Sequence, residues 1–316
     1  HYDRLRWPTS GVRLGSRPVH GSVAPRDDSS IASLAVQQRI ANDPAGSVAA
    51  IVVTYRRPQA LIETLNGIFS QSHGPASVTI VDNDNDQDLR RHISASWPEA
   101  TYIGSSRNLG YGAGLALGMR SARDELNPAW FWLLDDDSPP HEDHLRAALD
   151  APLANPTPWI VSGRGGFVGW TIRHRSNAVE QITPAHFALI DGALVSAACV
   201  RAVGYPREDL FMMFEDIEYS TRVRRHGGPI VLAPGILDQS RHMGTSGHWR
   251  AYYQSRNHLR SAIDLRSWTL FRTWGIRQVS FTLSDLSLRR RRKLKLRWRG
   301  AFDAVRDRMG TTLKPS

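Results

Sequence analysis

Four short apolar runs, separated by polar or helix-like segments, constrain the fold of this chain most strongly. The first run is continuous and rich in Val and Ile, which is typical of a strand covered on both faces. Leu61, Leu65 and Ile68 have helical spacing, and the Gly/Ala-rich segment 108–122 suits a helix packed close to a sheet. The segment after the second run, which ends at residue 83, is predicted to be a polar turn. This alternation predicts βαβ units and a mostly parallel sheet. The four runs are SVAAIVVTY (47–55), SVTIVDN (77–83), TYIGSS (101–106) and WFWLL (130–134).

The composition is that of a globular protein, with 41% apolar and 22% charged residues among 316. The one cysteine, Cys199, excludes an internal disulfide; its apolar surroundings predict a buried thiol, and a reducing compartment fits. No apolar run approaches the roughly 18–20 residues that span a bilayer. Residues 1–46 are rich in Ser, Pro and Arg and are predicted to be an N-terminal extension.

Positive charge is concentrated at the C-terminal end. Residues 256–316 carry sixteen Lys and Arg against four Asp and Glu, a net charge of +12, whereas the preceding 255 residues have a net charge of −2. Segment 266–288, rich in Trp, Phe and Leu, leads directly into the basic cluster. Aromatic and basic residues together predict contact with an anionic membrane surface rather than nucleic acid. A nucleic-acid-binding arm, a solvated helix face and a disordered tail are the alternatives.

Three consecutive carboxylates, residues 135–137, follow the fourth apolar run. No Lys or Arg lies within six residues of them, so either water or a cation must relieve their repulsion. Carboxylates at a strand end supply the hard oxygen ligands that suit Mg²⁺ or Mn²⁺. Polar residues also end the first two strands, at Thr54 and Asp82. Because α/β sheets bind ligands at the carboxyl ends of their strands, a nucleotide site is predicted there; ordinary solvated loops are the alternative.

Two downstream segments contain further candidate groups. The apolar run 210–214 leads into Glu215 and Asp216 at a predicted helix start. These carboxylates either compensate the helix dipole or present a general base to an acceptor hydroxyl. Segment 239–260 contains His242, whose imidazole suits Mn²⁺, and Tyr and Arg side chains that can donate hydrogen bonds to phosphate.

Seven motifs follow one another along the chain: VVTYRRP, VDN, RNLGYGAG, LLDDDS, FEDIEYSTR, RHMG and YYQSRN. They resemble those of the family-2 glycosyltransferases, inverting enzymes of GT-A fold that use nucleotide-sugar donors. The resemblance extends over residues 48–260 and is greatest to the rhamnosyltransferase-like branch, especially the galactofuranosyltransferases that initiate actinobacterial cell-wall galactan. It implies an α/β, Rossmann-like GT-A domain at 47–260, with a mostly parallel sheet flanked by helices. The composition of residues 261–316 predicts a basic, aromatic-rich helical region that associates with membrane.

The resemblance also implies roles for individual residues. Asp135 and Asp137 would bind Mn²⁺ or Mg²⁺, and His242 would complete the metal ligands. Asp216 would be the general base, with Glu215 as its neighbour. Relatives often carry Gln in place of Asp136, so the identity of the sugar stays open. The residues implied to line the nucleotide and the diphosphate are Thr54, Arg56, Asp82, Arg107, Asn108, Gly110, Asp136, Tyr253 and Arg256.

The implied reaction is a single inverting displacement from UDP-galactofuranose to a polyprenyl-diphosphate-linked glycan acceptor in cell-wall galactan assembly. A dTDP-rhamnose-dependent rhamnosyltransferase is the alternative, and a non-catalytic nucleotide- or glycan-binding module is a more remote one. A nucleotidyltransferase would normally have a glycine-rich loop after its first strand, which VVTYRRP lacks. The implied location is cytoplasmic, peripheral on the inner face of the cell membrane, and a homo-oligomer is compatible with the sequence.

Overall fold

The computed structural model describes residues 47–151, 159–175, 178–236 and 247–313. Within these ranges, the strands are β1 (Val48–Thr54), β2 (Ser77–Asp82), β3 (Thr101–Gly104), β4 (Trp130–Asp135), β5 (Ile160–Ser162), β6 (Gly165–Val168), β7 (Ile172–His174), β8 (Thr183–Pro184), β9 (Phe187–Ala188), β10 (Ala193–Ser196) and β11 (Ile230–Leu232). The helices are α1 (Pro58–Phe69), α2 (Gln87–Ser96), α3 (Tyr111–Leu126), α4 (His144–Asp150), α5 (Ala197–Val203), α6 (Glu215–Arg225), α7 (Trp249–Asp264), α8 (Trp268–Ser287) and α9 (Arg291–Val305).

The main sheet has the strand order β3-β2-β1-β4-β10-β5-β11-β8. Strands β1 to β4 are mutually parallel, and β5 is parallel to β11, whereas β10 and β8 run against their neighbours. A small antiparallel sheet, β7-β6-β9, accompanies it. The predicted α/β fold with a mostly parallel sheet is confirmed.

Helices cover both faces of the sheet. Alternate residues of β1 belong to two separate apolar clusters, one on each face. Val48, Ala50 and Val52 belong to one cluster, which contains residues of α1, α2 and α4. Ala49 and Ile51 belong to the other, which contains residues of α3, α5 and α6 and also the buried Cys199. Both faces of β1 are therefore dry, as its continuous apolar sequence predicted.

Two glycines allow α3 to approach the sheet closely. A Cβ atom at Gly114 would lie 2.7 Å from Val53 Cγ1, and one at Gly118 would lie 2.5 Å from Ile51 Cγ2. Both distances are shorter than van der Waals contact, so a larger residue at either position would push the helix outward. The predicted close packing of the Gly/Ala-rich helix is confirmed.

The strand order reverses between β1 and β4, which creates a crevice at their carboxyl ends. In the sheet register, Thr54 pairs with Asp82, and Val53 pairs with Asp135. The residues that end β1, β2 and β4 therefore lie side by side at one edge. This edge is where a ligand is expected in a sheet of this topology.

The C-terminal helices α7, α8 and α9 pack on one another. Gly300 of α9 lies against the backbone of Tyr252 in α7, so the two helices cross closely. Tyr252 also donates a hydrogen bond to Asp303 at 2.8 Å, and Arg297 forms a buried ion pair with Asp285 at 3.1 Å. The predicted helical C-terminal region is confirmed, and among the helices of the described ranges none combines the length and apolar content of a membrane-spanning segment.

Two features differ from the predictions or extend them. Residues 87–96 form helix α2 rather than a polar turn. Asp86 caps the helix by accepting hydrogen bonds from the amides of Asp88 and Leu89, and the large apolar residues Leu89 and Ile93 are buried one turn apart. Helix α7 also runs across residue 260. The division of the chain near that residue stays a prediction, as does the extension at 1–46, which lies outside the described residues.

Candidate active site

The three carboxylates at the end of β4 lie together. One oxygen from each of Asp135, Asp136 and Asp137 lies within 4.8 Å of the other two. Asp136 is fully buried and accepts a hydrogen bond from the Thr54 hydroxyl at 2.7 Å, whereas the side chains of Asp135 and Asp137 are 26% and 19% exposed. The first and third carboxylates of the sequence thus reach the surface, and the second is buried.

Arg57 is the cation that faces this cluster. One of its terminal nitrogens, Nη2, lies 2.5 Å from Asp136 Oδ1 and 3.3 Å from Asp135 Oδ1, and the other, Nη1, pairs with Asp137 Oδ2. Arg57 is the residue directly before α1, and its side chain is 42% exposed. The sequence analysis missed Arg57, because the residue is 78 positions from Asp135 and only the β1–β4 pairing brings them together.

The electrostatics of the cluster favour a cation. Burial raises the pKa of Asp135 well above its ordinary value, and the charges of Asp136, Asp191 and Asp137 raise it further. Burial also raises the pKa of Asp136 to about 6, although the Arg57 charge opposes the rise. Closely spaced hard oxygens of like charge are the ligands that Mg²⁺ and Mn²⁺ take in proteins, so the residues present fit a divalent cation.

Two consecutive residues connect the cluster with the start of α6. Asp191 Oδ1 accepts a hydrogen bond from the backbone amide of Asp135 at 3.0 Å, and its Oδ2 accepts one from the Ser138 hydroxyl at 2.9 Å. The amide of Ile190 donates to Asp216 Oδ1 at 2.8 Å. The aspartate cluster and Asp216 are therefore held against the same short segment between β9 and β10.

Glu215 lies beside Asp216 but in a different environment. Its side chain is buried, and its Oε2 has no hydrogen-bond partner among the described residues. Burial, and then the charge of Asp216, raise the pKa of Glu215 to about 8. Glu215 is thus a buried carboxyl group with a raised pKa, whereas Asp216 accepts a hydrogen bond from a backbone amide.

The backbone before Glu215 adopts an unusual conformation. Phe211, Met213 and Phe214 have φ angles of 67°, 71° and 78°, in the left-handed region that non-glycine residues rarely occupy. Asn257 donates hydrogen bonds from its side-chain amide to the carbonyls of residues 210, 212 and 213, at 2.8–2.9 Å. These bonds hold the strained segment that presents Glu215 and Asp216.

Arg256 and Tyr253 lie in the interior of the protein, and both side chains are fully buried. Arg256 donates to the carbonyl of Leu210 at 2.9 Å and to that of Gly310 at 2.7 Å, and the Tyr253 hydroxyl donates to the Leu313 carbonyl at 2.8 Å. These groups are already bonded within the protein, and their predicted contact with a diphosphate stays a prediction. Arg256 supports the same strained segment as Asn257.

Three more predicted nucleotide ligands also have structural roles. The buried Thr54 hydroxyl is engaged by Asp136, which in turn has no exposed surface. Asp82 is 1% exposed and accepts hydrogen bonds from the amides of Asp84 and Asp86, both at 2.8 Å, and from the Tyr102 hydroxyl. None of the three is exposed, and their hydrogen bonds shape the loops of the site; their predicted contact with the nucleotide stays a prediction.

The segment 107–110 closes the edge of the site. Asn108 Oδ1 accepts a hydrogen bond from the amide of Gly110 at 2.8 Å, and the side chain of Asn83 bonds to the Leu109 amide and the Gly110 carbonyl. Gly110 has a φ of 85°, and a Cβ atom there would collide with Phe211. This segment thus packs against the backbone that leads to Glu215, while the Arg107 side chain is exposed.

Arg56 and His242 complete the predicted set. Arg56 has a φ of 58°, and its exposed side chain pairs with Asp84 at 2.9 Å, so it lies on the open side of the edge. His242 falls in the stretch 237–246, outside the described residues, and its predicted role stays untested. The structure therefore brings together the aspartate cluster, the 107–110 segment and the Glu215–Asp216 pair, but not Tyr253 or Arg256.

Tyr111, which the sequence analysis also missed, lies near both parts of this arrangement. Its hydroxyl is buried and has no hydrogen-bond partner among the described residues. Burial raises the pKa of Tyr111 well above its ordinary value, and the charges of Asp191, Asp135, Asp216 and Glu215 raise it further. Carboxylates from both parts of the site thus act on the pKa of one phenol. No sequence signal distinguishes Tyr111 from the other apolar residues of RNLGYGAG.

The amino-acid sequence of this chain is similar to those of known transferases. The chain is 33% identical to galactofuranosyltransferase GlfT1 of Mycolicibacterium smegmatis over 202 residues, which are 58% of this chain and 67% of the relative. It is 34% identical to GlfT1 of Mycobacterium tuberculosis over 203 residues (58% and 66%), and 25% identical to the low-salt glycan biosynthesis hexosyltransferase Agl10 of Haloferax volcanii over 210 residues (60% and 64%). The chain spans about two thirds of the length of these curated relatives.

Solved structures share the fold at low identity. S. aureus TarS 1-349 aligns with a TM-score of 0.50 and 14% identity, over 70% of this chain and 66% of that one. GalNAc-T7, determined with UDP, GalNAc and Mn²⁺, aligns with a TM-score of 0.51 and 11% identity, over 69% and 47%. The GT-A fold is thereby confirmed. The family model for glycosyl transferase family 2 matches residues 49–198, the stretch that carries the aspartate cluster, and together with the identity to GlfT1 it shows that the chain belongs to glycosyltransferase family 2.

Proposed function

We propose that this glycosyltransferase moves galactofuranose from UDP-galactofuranose to a polyprenyl-diphosphate-linked glycan acceptor in cell-wall galactan assembly, with inversion at the anomeric carbon and with a divalent cation. The names of the two GlfT1 relatives support the sugar. The observation that carries the reaction type is the pairing of segment 190–191 with both Asp135 and Asp216, which puts a cation-binding edge and a candidate base next to each other.

The residues that would hold the cation are Asp135 and Asp137, which expose carboxylate oxygens at the end of β4. When bound, Mn²⁺ or Mg²⁺ would neutralise charge that develops on the diphosphate as it leaves. Asp136 keeps the turn in place through Thr54. Its burial between the other two carboxylates supports a positioning role for Asp136 instead of contact with the ribose.

The base in this proposal is Asp216. An acceptor hydroxyl must lose its proton as it attacks, so the carboxylate that takes the proton must be charged beforehand. Glu215 is unsuited to this role at neutral pH, because burial raises its pKa to about 8. Asp216 is only partly buried, and the hydrogen bond from Ile190 fixes its orientation. The protonated Glu215 can donate a hydrogen bond at the same place.

A panel of nucleotide sugars with a lipid-linked acceptor tests this function. Purified protein should release UDP from UDP-galactofuranose, EDTA should abolish release, and Mn²⁺ or Mg²⁺ should restore it. The Asp137→Asn variant should lose turnover, whereas the exposed Asp88→Asn variant, on α2, should retain it. Full activity after exhaustive chelation would remove the cation from the reaction.

The same panel separates the alternatives. Release of dTDP from dTDP-rhamnose, without release from UDP-galactofuranose, would establish the rhamnosyltransferase alternative. Binding of a nucleotide sugar without release in the presence of a range of acceptors would favour the non-catalytic module, which needs no base. The unpartnered carboxyl oxygen of Glu215 and the strained segment before it argue against that module, because a binding surface gains nothing from either.

An anionic bilayer on the inner face of the cell membrane is the partner that we propose for helices α8 and α9. Large apolar side chains of α8 are exposed at positions 268, 279, 283 and 286, which lie on one side of the helix, and those of α9 are exposed at 298, 302 and 305, also on one side. Apolar side chains that face solvent on two neighbouring helices suit insertion at headgroup depth. Whether the protein forms a homo-oligomer stays an open prediction.

The basic residues between the two helices support the choice of an anionic surface. Arg289 to Arg292 are all exposed, and none of them forms an ion pair with an acidic side chain in the part of the chain that the structure describes. Arg291, Arg292 and Lys293 occupy the first turn of α9, where the positive end of the helix dipole disfavours cations. Phosphate headgroups would relieve this repulsion.

A further inference from the structure

We propose that Arg57 is an exchangeable counter-ion of the aspartate cluster, which leaves the carboxylates when a divalent cation binds and then contacts the diphosphate of the donor. This inference rests on the proposed cation-dependent transfer and assigns Arg57 a positioning role in it. The residue would thereby couple the binding of cation to the binding of nucleotide. It has no part in proton transfer.

The contacts of Arg57 show what it occupies. Its two terminal nitrogens pair with one oxygen of each of the three aspartates, including both Asp135 Oδ1 and Asp137 Oδ2. These two side chains are the exposed members of the cluster and the ones that would hold a cation. A cation bound by the same oxygens would repel the guanidinium and displace it. Arg57 and a divalent cation therefore compete for one position.

The position of Arg57 in the fold allows such a movement. The residue lies between β1 and α1, its side chain is 42% exposed, and no side-chain cap fixes it to the helix. Other contacts hold the cluster independently of it: Thr54 and the Tyr55 amide bond to Asp136, and Asp191 bonds to the amide of Asp135. Arg57 can therefore change rotamer while the carboxylates stay in place.

A displaced Arg57 remains at the edge where the diphosphate would lie. The guanidinium presents parallel N–H donors that match two oxygens of a phosphate, and its charge does not depend on pH. Arg56, the adjacent basic residue, is directed to Asp84 instead. Since Arg57 is the arginine that already contacts the cluster, it has the shortest path to an anion bound there.

This arrangement predicts effects of opposite sign in the Arg57→Gln variant. Mn²⁺ should bind the free variant more tightly than it binds the wild type, by roughly tenfold, because no guanidinium has to be displaced. UDP should bind the Mn²⁺-loaded variant roughly tenfold more weakly, because a charge-assisted contact is lost. With UDP affinity of the metal-free protein unaltered, the factor by which UDP increases Mn²⁺ affinity should therefore fall by about tenfold. A general loss of structure would weaken both ligands.

The experiment measures free Mn²⁺ by electron paramagnetic resonance, and UDP binding by calorimetry, at pH 8, where protons compete least for the carboxylates. The proteins compared are the wild type, Arg57→Gln, Arg57→Lys and a matched control, Arg91→Gln. Arg91 pairs with Asp88 on the surface of α2, so its variant should behave as the wild type. Arg57→Lys keeps the charge but loses the planar fork, so its Mn²⁺ affinity should stay near that of the wild type while UDP affinity falls.

Tighter Mn²⁺ binding with weaker UDP binding in Arg57→Gln would establish the exchange. Parallel weakening of both ligands, or no change in either, would overturn it, and so would tighter Mn²⁺ binding with unaltered UDP affinity. Failure of the proposed function gives a different result: the wild type itself would then show no Mn²⁺-dependent binding of UDP.

Discussion

The backbone amide of Ile190 donates a hydrogen bond to Oδ1 of Asp216 at 2.8 Å. The next residue in the chain, Asp191, accepts a hydrogen bond from the amide of Asp135 at 3.0 Å. Because these contacts come from consecutive residues, the separation between the aspartate cluster and the proposed base is set by one peptide unit. A shift of either group would have to break a partly buried hydrogen bond of this segment.

The first prediction concerns Asp216→Asn. Asparagine keeps an oxygen that can accept the hydrogen bond from Ile190, so the site should retain its shape while the base is lost. We expect kcat to fall by roughly 10²–10⁴, with UDP affinity nearly unaltered. Steady-state kinetics and calorimetry check this. Turnover close to that of the wild type would transfer the role to another group, of which Glu215 is the nearest candidate.

A second prediction concerns Asn257→Ala, which removes the two N–H donors that serve three carbonyls of the strained segment before α6 and also the oxygen that accepts a hydrogen bond from Arg256 Nε. At about 1 kcal/mol for each bond, the free energy of unfolding should fall by about 3 kcal/mol. The rate should also fall, because Phe214 would relax from its positive φ and misplace Asp216. Urea denaturation and kinetics measure the two effects.

The matched control is Ser261→Ala, on the same helix one turn later. The Ser261 hydroxyl is buried but has no hydrogen-bond partner among the described residues, so its loss should cost little. Equal effects of the two substitutions would contradict the clamp formed by Asn257.

The third prediction is a pH dependence that originates in Glu215. Its pKa is about 8 in the folded protein and near 4.5 when exposed, so the folded state keeps a proton that the unfolded state releases between these values. The contribution of the protonated Glu215 side chain to stability is fully present below about pH 4.5 and is lost as the pH rises toward 8.

The Glu215→Gln variant has an amide in place of the carboxyl group and cannot ionise there. Its free energy of unfolding should therefore not fall with pH for this reason. Between pH 5 and pH 8, the free energy of unfolding of the wild type should therefore fall relative to that of the variant, by on the order of 1–3 kcal/mol. Urea midpoints at both pH values measure the difference. A constant difference between the two proteins across this range would show that Glu215 has an ordinary pKa.

The fourth prediction concerns the basic residues before α9. Changing Arg289, Arg290, Arg291 and Arg292 to Gln should weaken binding to anionic vesicles by about three orders of magnitude, at about 1 kcal/mol for each charge near the surface. Raised salt should have the same effect on the wild type, since the Debye length shortens from about 10 Å at 0.1 M to about 3 Å at 1 M. Vesicle co-sedimentation measures both.

A control for total charge replaces four exposed arginines elsewhere, namely Arg90, Arg91, Arg146 and Arg201. That variant should sediment with vesicles as the wild type does, and both variants should keep their activity on a short soluble acceptor. Equal vesicle binding by the wild type and the Arg289–Arg292 variant at low salt would refute the membrane partner.

The sequence predicted those parts of the structure that depend on local pattern. Strand ends are visible as apolar runs that stop at Thr54, Asp82 and Asp135, and parallel pairing then requires these ends to lie together. The carboxylates of Glu215 and Asp216, which follow the apolar run 210–214, likewise predicted the start of α6. Helix α2 was missed because only two of its ten residues, Leu89 and Ile93, are buried, which is too few to give a clear periodic signal.

The roles of individual polar residues could not be predicted in the same way. An arginine in a motif has the same letter whether it faces a ligand, as we propose for Arg57, or three backbone carbonyls, as Arg256 does. The difference is burial, which depends on helices α7 and α9 and on residues 308–313. Asp191 was missed for a similar reason, because its partner Asp135 is 56 residues away.

Helix α7 limits how this protein could be divided or recombined. One side of the helix holds the segment that presents Asp216, and the other packs against α9, with Tyr252 bonded to Asp303. A chain cut at residue 260 would remove the carbonyl of Gly310, to which the Arg256 guanidinium donates, and also α9, which packs closely on α7 at Gly300, so the support of this segment would be weakened. Exchange of C-terminal regions between related enzymes, whether in evolution or in the laboratory, would therefore have to transfer α7 together with α8 and α9.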